Sequence, residues 1–151
     1  MSNSNQNIET PWPFIRAVEA YFGIRFKFDM AADRDNHKAA SWYGPEADSL
    51  GMCWPTTGWC WLNPPFKRLT PWINKCHEQM NRGCKIISIW PLSGDQNQIV
   101  TWKYASVYIL HGRVWPEVRG CMLCKWDKDN VGPIRGLTWD KEKLMPCWSC
   151  E

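Results

Sequence analysis

Trp59-Cys60-Trp61-Leu62-Asn63-Pro64-Pro65-Phe66 is the stretch on which the reading of this chain turns. Four apolar residues predict a buried strand, and the two prolines stop it, because proline has no N–H for a ladder and fixes its own φ. The residue before a proline is pushed into an extended conformation, so Asn63 and the carbonyl of Pro64 have little freedom to move. One side-chain amide, two rigid carbonyls and the ring of Phe66 are therefore delivered to the same point. An exocyclic NH2 group has two hydrogens to donate, and the Asn63 side-chain oxygen and the Pro64 carbonyl are two acceptors. Phe66 adds a flat apolar surface on which a base can stack.

Outward from this corner, strands alternate with helices. Thr10-Pro11 predicts an N-cap followed by proline in the first helical turn, with Phe14, Ile15, Val18 and Phe22 at helical spacing and Gly23 as the stop. Ile24, Phe26 and Phe28 alternate with Arg25 and Lys27 in a strand that runs into Asp29-Met30-Ala31-Ala32. Small residues after a carboxylate leave room for a ligand. Residues 33–42 are polar and predict a short helix, and 48–58 read as a turn-rich link. Beyond the corner, Thr70-Pro71 repeats the cap pattern, with Trp72, Ile73, Cys76 and Met80 on one face and Gly83 at the end. Residues 85–90 are apolar almost throughout and predict a strand buried on both faces. A short helix over 96–102 and a strand over 106–110 follow. Arg113-Val114 and 121–126 are later strand candidates, around a turn at 127–130. The alternation predicts an α/β sandwich with a mostly parallel sheet. Ligands in such folds sit beyond the carboxyl ends of strands, where Asp29 and Asn63 both fall.

The length of 151 residues predicts one domain, and a net charge of +3 permits contact with a polyanion without demanding it. Twelve tryptophans supply core volume first, with base stacking a minority role. Residues 1–7 are polar, without the charged flank and apolar centre of a signal peptide, so the eight cysteines are expected to be reduced, free or metal-bound. No apolar stretch approaches the length of a bilayer span. Cys121-x-x-Cys124 and Cys147-x-x-Cys150 are separated by twenty-two residues, slightly beyond the usual range of a four-cysteine zinc site. Residues three apart on a strand face opposite sides, which is wrong for chelation, so buried thiols are expected and no metal is assigned. His37, His77 and His111 show no ligand spacing.

The order Thr10-Pro11, Asp29-x-Ala31-Ala32, Asp48-x-Leu50, Asn63-Pro64-Pro65-Phe66 and Pro71-Trp72-Ile73, with Leu110-His111-Gly112-Arg113-Val114 near the end, resembles the phage DNA N6-adenine methyltransferase family. The likeness runs from Glu9 to Val114. It implies a Rossmann-like class I methyltransferase-type domain over 10–140, between a mobile polar tail at 1–9 and a cysteine-containing tail at 141–151. It further implies S-adenosylmethionine as methyl donor, DNA as partner and the cytoplasm of the host bacterium as location. Thr10 and Pro11 would cover the methionine end of the cofactor. Asp29, Ala31 and Ala32 would lie near its amine, and Asp48 and Leu50 at its adenine ring. Asn63, Pro64, Pro65 and Phe66 would form the catalytic corner around a flipped-out adenine. Two acceptors on the amine favour the tetrahedral nitrogen of the transition state without a strong general base.

Taken singly, Asp29 and Thr10 read as helix caps, Asp48 as a turn residue and Phe66 as a core aromatic; the functional reading rests on their falling in line. Residues 29–33 lack the glycine-rich turn of the wider methyltransferase pattern, and no acidic residue for the ribose is identifiable. At this length a separate target-recognition domain is not expected. Two alternatives stand beside this reading, the first motivated by the glycine-free turn and the second by an acceptor pair that serves any planar amine. One is an inactive family member that binds DNA, a nucleotide or a host protein in an anti-defence role. The other is a methyltransferase for another planar amine, such as glutamine in a protein or cytosine N4.

Overall fold

The structure, a computed structural model, describes residues 9–147. Most of the expected tail at 1–9, and Cys150, lie outside the described residues. In chain order the elements are α1 (Trp12–Phe22), β1 (Phe26–Asp29), β2 (Ser41–Trp42), β3 (Trp59–Leu62), α2 (Leu69–Asn81) and β4 (Lys85–Pro91). Then come α3 (Ile99–Tyr104), β5 (Ser106–His111), β6 (Cys121–Trp126), β7 (Arg135–Asp140) and β8 (Lys143–Pro146). Short 3-10 turns at Pro45–Ala47, Ser49–Gly51, Phe66–Arg68 and Gln96–Gln98 join them.

Among the described residues the strands form one sheet in the order β2-β1-β3-β4-β6-β5-β7-β8. The pairs β1/β2, β1/β3, β3/β4 and β5/β7 are parallel, whereas β6 runs antiparallel to both its neighbours and β8 antiparallel to β7. The sheet is thus mixed and mostly parallel, as the alternation of elements predicts.

Burial follows the two-residue period of the strands. On β3, Trp61 joins Phe14, Ile15 and Val18 of α1, while Cys60 and Leu62 join Ile73, Cys76 and Met80 of α2 on the other face. On β4, Ile87 and Ile89 belong to the first cluster, Ile86 and Trp90 to the second. Both faces are covered by helices, which is why β3 and β4 read as continuous apolar runs. The hydroxyl of Ser88, in the middle of β4, is satisfied by the indole N–H of Trp126 at 3.0 Å. At the end of α1, Gly23 adopts φ 67° and stops the helix as expected, with its N–H on the Ala20 carbonyl and that of Ile24 on Glu19.

Several expectations are corrected. Residues 33–42 form no helix: the Asp33 carboxylate accepts the Asp35 N–H at 2.9 Å, and the Asp33 and Asn36 backbones pair into a tight turn. Local bonding of this kind competes with helix formation. Thr10 is not a cap, since Pro11 holds the N-cap position and accepts the N–H groups of Phe14 and Ile15. Thr70-Pro71 lies inside the first turn of α2, whose N-cap is Arg68. Proline is tolerated there because first-turn N–H groups have no intrahelical acceptor. Arg113-Val114 is not a strand but part of the loop that leaves β5 through Gly112. The hairpin of β7 and β8 had no counterpart in the sequence reading; it takes up residues 143–146 of the segment set apart as a tail, and β8 packs on α1. Among the described residues no helix is long and apolar enough to cross a membrane.

Candidate active site

The strand following β1 in sequence, β2, lies on one side of it, and the next, β3, on the other. Loops leaving β1 and β3 diverge at this reversal and open a crevice beyond their carboxyl ends. A cavity of ≈ 420 Å³ occupies that place. Its walls are Met30 to Asp33 after β1, Tyr43 to Pro45 after β2, Asp48 to Leu50 in the following turn, and Asn63 and Pro65 after β3. Asn36 and Trp72 of α2 complete it. Cavities of this size take small molecules of cofactor dimensions.

Asp29 closes β1 and is buried. Its carboxylate accepts the backbone N–H of Lys38 at 2.8 Å and that of Ala31 at 3.3 Å. Burial outweighs these bonds and raises the carboxyl pKa to about 6. The group shapes the loop around 30–38, while the cavity wall itself begins at Met30. Lys38, also buried, reaches the Glu9 carboxylate at 2.9 Å and lies over the Trp12 ring, tying the segment before α1 to this loop.

Asn63 is half-buried on the cavity wall, and its Nδ2 donates to Thr10 Oγ1 at 3.0 Å. Pro64 is buried behind it, and Pro65 returns to the wall. Phe66 packs edge-on against Trp115, with ring centroids 6.0 Å apart, and Trp115 in turn donates from its indole to the Glu9 carbonyl at 2.8 Å. Ala31, Ala32, Asp48, Leu50, Asn63 and Pro65 therefore meet on one cavity. Thr10, Pro11, Asp29, Pro64 and Phe66 stand around it without lining it.

Sequence reasoning missed Tyr43, Gly44, Pro45, Ser49 and Trp72 as wall residues. The Gly44-Pro45 dipeptide was a usable turn signal, and Ser49 lies inside the Asp48-x-Leu50 pattern. Asp48 adopts φ 47°, and a Cβ at Gly51 would come within 2.5 Å of its carboxylate and displace it from its present position. The Ser49 carbonyl accepts the Trp54 indole N–H at 2.8 Å, but its buried Oγ has no hydrogen-bond partner. Such a hydroxyl is costly to leave unpaired. The carboxylates of Asp33 and Asp48 beside the apolar Met30, Leu50 and Trp72 suit a ligand that carries amino or hydroxyl donors on an apolar body.

Cys121 and Cys124 fall in the two opposite core clusters, one on each face of the sheet. Burial pushes the Cys121 thiol up to about 12 and that of Cys124 higher still, so both stay protonated. Among the described residues no group of three His, Cys, Asp or Glu side chains could hold a metal ion.

The family model for DNA N-6-adenine-methyltransferase (Dam) matches residues 2–108. The DNA N-6-adenine-methyltransferase of Haemophilus phage HP1 (strain HP1c1) is 33% identical over 70 residues, 46% of this chain and 40% of that protein. The protein of the same name from Escherichia phage T1 is 30% identical over 93 residues, 60% of this chain and 39% of its own length. The chain thus spans about two fifths of the length of these curated relatives.

Proposed function

The chain belongs to the DNA N-6-adenine-methyltransferase (Dam) family, and from that membership we propose that it transfers a methyl group from S-adenosylmethionine to N6 of an adenine flipped out of DNA. The observation that carries the reading is Asn63. It stands at the carboxyl end of β3, held by Thr10, on the same cavity as Ala31, Ala32, Asp48 and Leu50. Helices on both faces of a mostly parallel sheet, with the cavity at the strand-order reversal, support a Rossmann-like methyltransferase domain over residues 10–140. The site of action is the cytoplasm of the host bacterium.

S-adenosylmethionine, when bound, supplies a methyl group activated on a sulfonium. The protein's part is to position and to stabilise. Asp48, Ser49 and Leu50 would hold the adenine end of the cofactor, and Ala31 and Ala32 would leave room for its amino-acid end after β1. The Asn63 side-chain oxygen and the Pro64 carbonyl accept the two hydrogens of the target amine. They stabilise the charge that develops on nitrogen as its lone pair leaves the ring, which is preorganised electrostatic catalysis. Phe66, braced by Trp115, offers the ring on which the extruded base stacks. Pro64 and Pro65 keep the corner stiff, so little reorganisation accompanies reaction.

Incubation with S-adenosylmethionine and DNA, digestion to nucleosides and mass spectrometry should yield N6-methyladenine; methylated protein or N4-methylcytosine instead would overturn the adenine assignment. Asn63→Ala should lower turnover by about two to three orders of magnitude, the cost of an oxyanion-hole-type contact, with cofactor affinity nearly unchanged. One observation favours a second reading, a binding protein without turnover: the segment from Asp29 to Lys38 has no glycine, and its own N–H groups occupy the Asp29 carboxylate. Calorimetry with S-adenosylmethionine separates the two, since absence of binding heat leaves only the second.

A further inference from the structure

We propose that Thr10 is a positioning residue for Asn63, acting on turnover and not on the cofactor. The inference rests on the methyl-transfer reading of the Asn63 corner and assigns to that site a part which the sequence resemblance gives to cofactor binding. Three observations carry it. Thr10 is only 2% exposed and does not line the cavity, so a ligand there does not touch its side chain. Its Oγ1 lies 3.0 Å from Asn63 Nδ2, across a separation of 53 residues. Its backbone is pinned on both sides: the Glu9 carbonyl accepts the Trp115 indole, and the Pro11 carbonyl accepts the N–H groups of Phe14 and Ile15 at the start of α1.

An asparagine amide rotates about χ2 between two orientations that interchange its oxygen and its NH2 group. Only one suits a donor amine, because the other turns two hydrogens toward two hydrogens. In the structure the amide stands with Nδ2 on Thr10 Oγ1, which places its oxygen on the opposite side. It also forms a chain in which the target amine donates to Asn63 Oδ1 while Asn63 Nδ2 donates to Thr10 Oγ1. Each bond in such a chain polarises the next, so the acceptor is strongest when the amine needs it. Trp115 links the two halves of the corner, since it packs on Phe66 and anchors the residue before Thr10.

The test is a pair of substitutions, Thr10→Val, which keeps the shape and removes the acceptor, and Thr10→Ser, which keeps the acceptor. Each is assayed for kcat on DNA and, by calorimetry, for S-adenosylmethionine affinity. Thr10→Val should lower kcat by roughly 10- to 100-fold with the cofactor Kd unchanged, as expected for loss of one buried hydrogen bond. Thr10→Ser should stay within about threefold of the unsubstituted protein, well inside the loss that one missing hydrogen bond brings. Full turnover by Thr10→Val overturns the proposal, as does a fall in cofactor affinity parallel to the fall in kcat, the mark of a cofactor contact or of lost structure. Failure of Thr10→Ser to retain activity does the same. If the unsubstituted protein binds cofactor but methylates no DNA, the functional reading falls and the proposal with it; if it methylates and Thr10→Val does too, only the role of Thr10 falls.

Discussion

Burying a carboxylate without a cationic partner at its oxygens has a consequence that depends on pH. Asp29 titrates near 3.8 in the unfolded chain and near 6 in the fold, where burial outweighs the N–H groups of Lys38 and Ala31. Between those values the native state holds the extra proton, so this group's contribution to stability is complete below about pH 4 and is lost as pH rises through 6. The full change is on the order of 3 kcal/mol. Urea unfolding of the protein and of Asp29→Asn should therefore show the variant gaining by about that amount relative to the parent from pH 4 to pH 7. A pH-independent difference would mean that Asp29 keeps an ordinary carboxyl in the fold. Residues such as Asn63 were legible in the sequence because adjacent prolines constrain them locally. The placement of Asp29 at a strand end was legible too, but not the turning of its carboxylate onto the N–H of Lys38, nine residues on. Thr10 was misread as a cap for the same reason, since its partner is 53 residues away.

Single elements were legible wherever burial imposes a period. β3 and β4 announce themselves because both faces are covered, and α1 and α2 because one face is. The 33–42 segment failed because polar side chains satisfy backbone groups locally, a signal shared by helix starts and turns alike. β2 has only two residues and no period to read, and β8 is a four-residue strand at one edge of the sheet, beside β7. The junction between β5 and its following loop carries a sharper constraint. Gly112 has φ 96°, and a Cβ there would sit 2.7 Å from the Trp139 carbonyl of β7. Gly112→Ala should destabilise by about 2 to 4 kcal/mol, from the strained backbone and the displacement of β7 together. Gly94→Ala is the control, because nothing lies within 4 Å of its Cβ and its φ needs no glycine. It should stay within about 0.5 kcal/mol of the parent. Equal midpoints in a chemical unfolding series would show that the contact with β7 does not constrain the loop.

At the scale of the molecule, one sheet places the ends of β1, β2 and β3 side by side, and the cavity exists only because all three loops converge. The α/β class was legible from the alternation of elements, whereas the antiparallel insertion of β6 between β4 and β5 was not, because strand direction within a sheet leaves no local trace in composition. A ligand bridging three loops binds the folded state alone. S-adenosylmethionine at a hundred times its Kd should then add about 2.7 kcal/mol to stability and, for a chain of this size, raise Tm by roughly 5 to 10 °C. Ser49→Ala separates ligand bridging from nonspecific stabilisation. In the absence of ligand, removing an unsatisfied buried hydroxyl should leave Tm unchanged or slightly higher. Where a bound ligand draws the hydroxyl into a hydrogen bond, the same substitution should weaken cofactor binding about tenfold, the worth of a single hydrogen bond, and shrink the Tm shift accordingly. Opposite effects on the free and bound protein are what an orphaned group poised for a ligand requires. If Ser49→Ala lowers Tm equally in both states, the hydroxyl serves the fold and the cavity binds its ligand by other contacts.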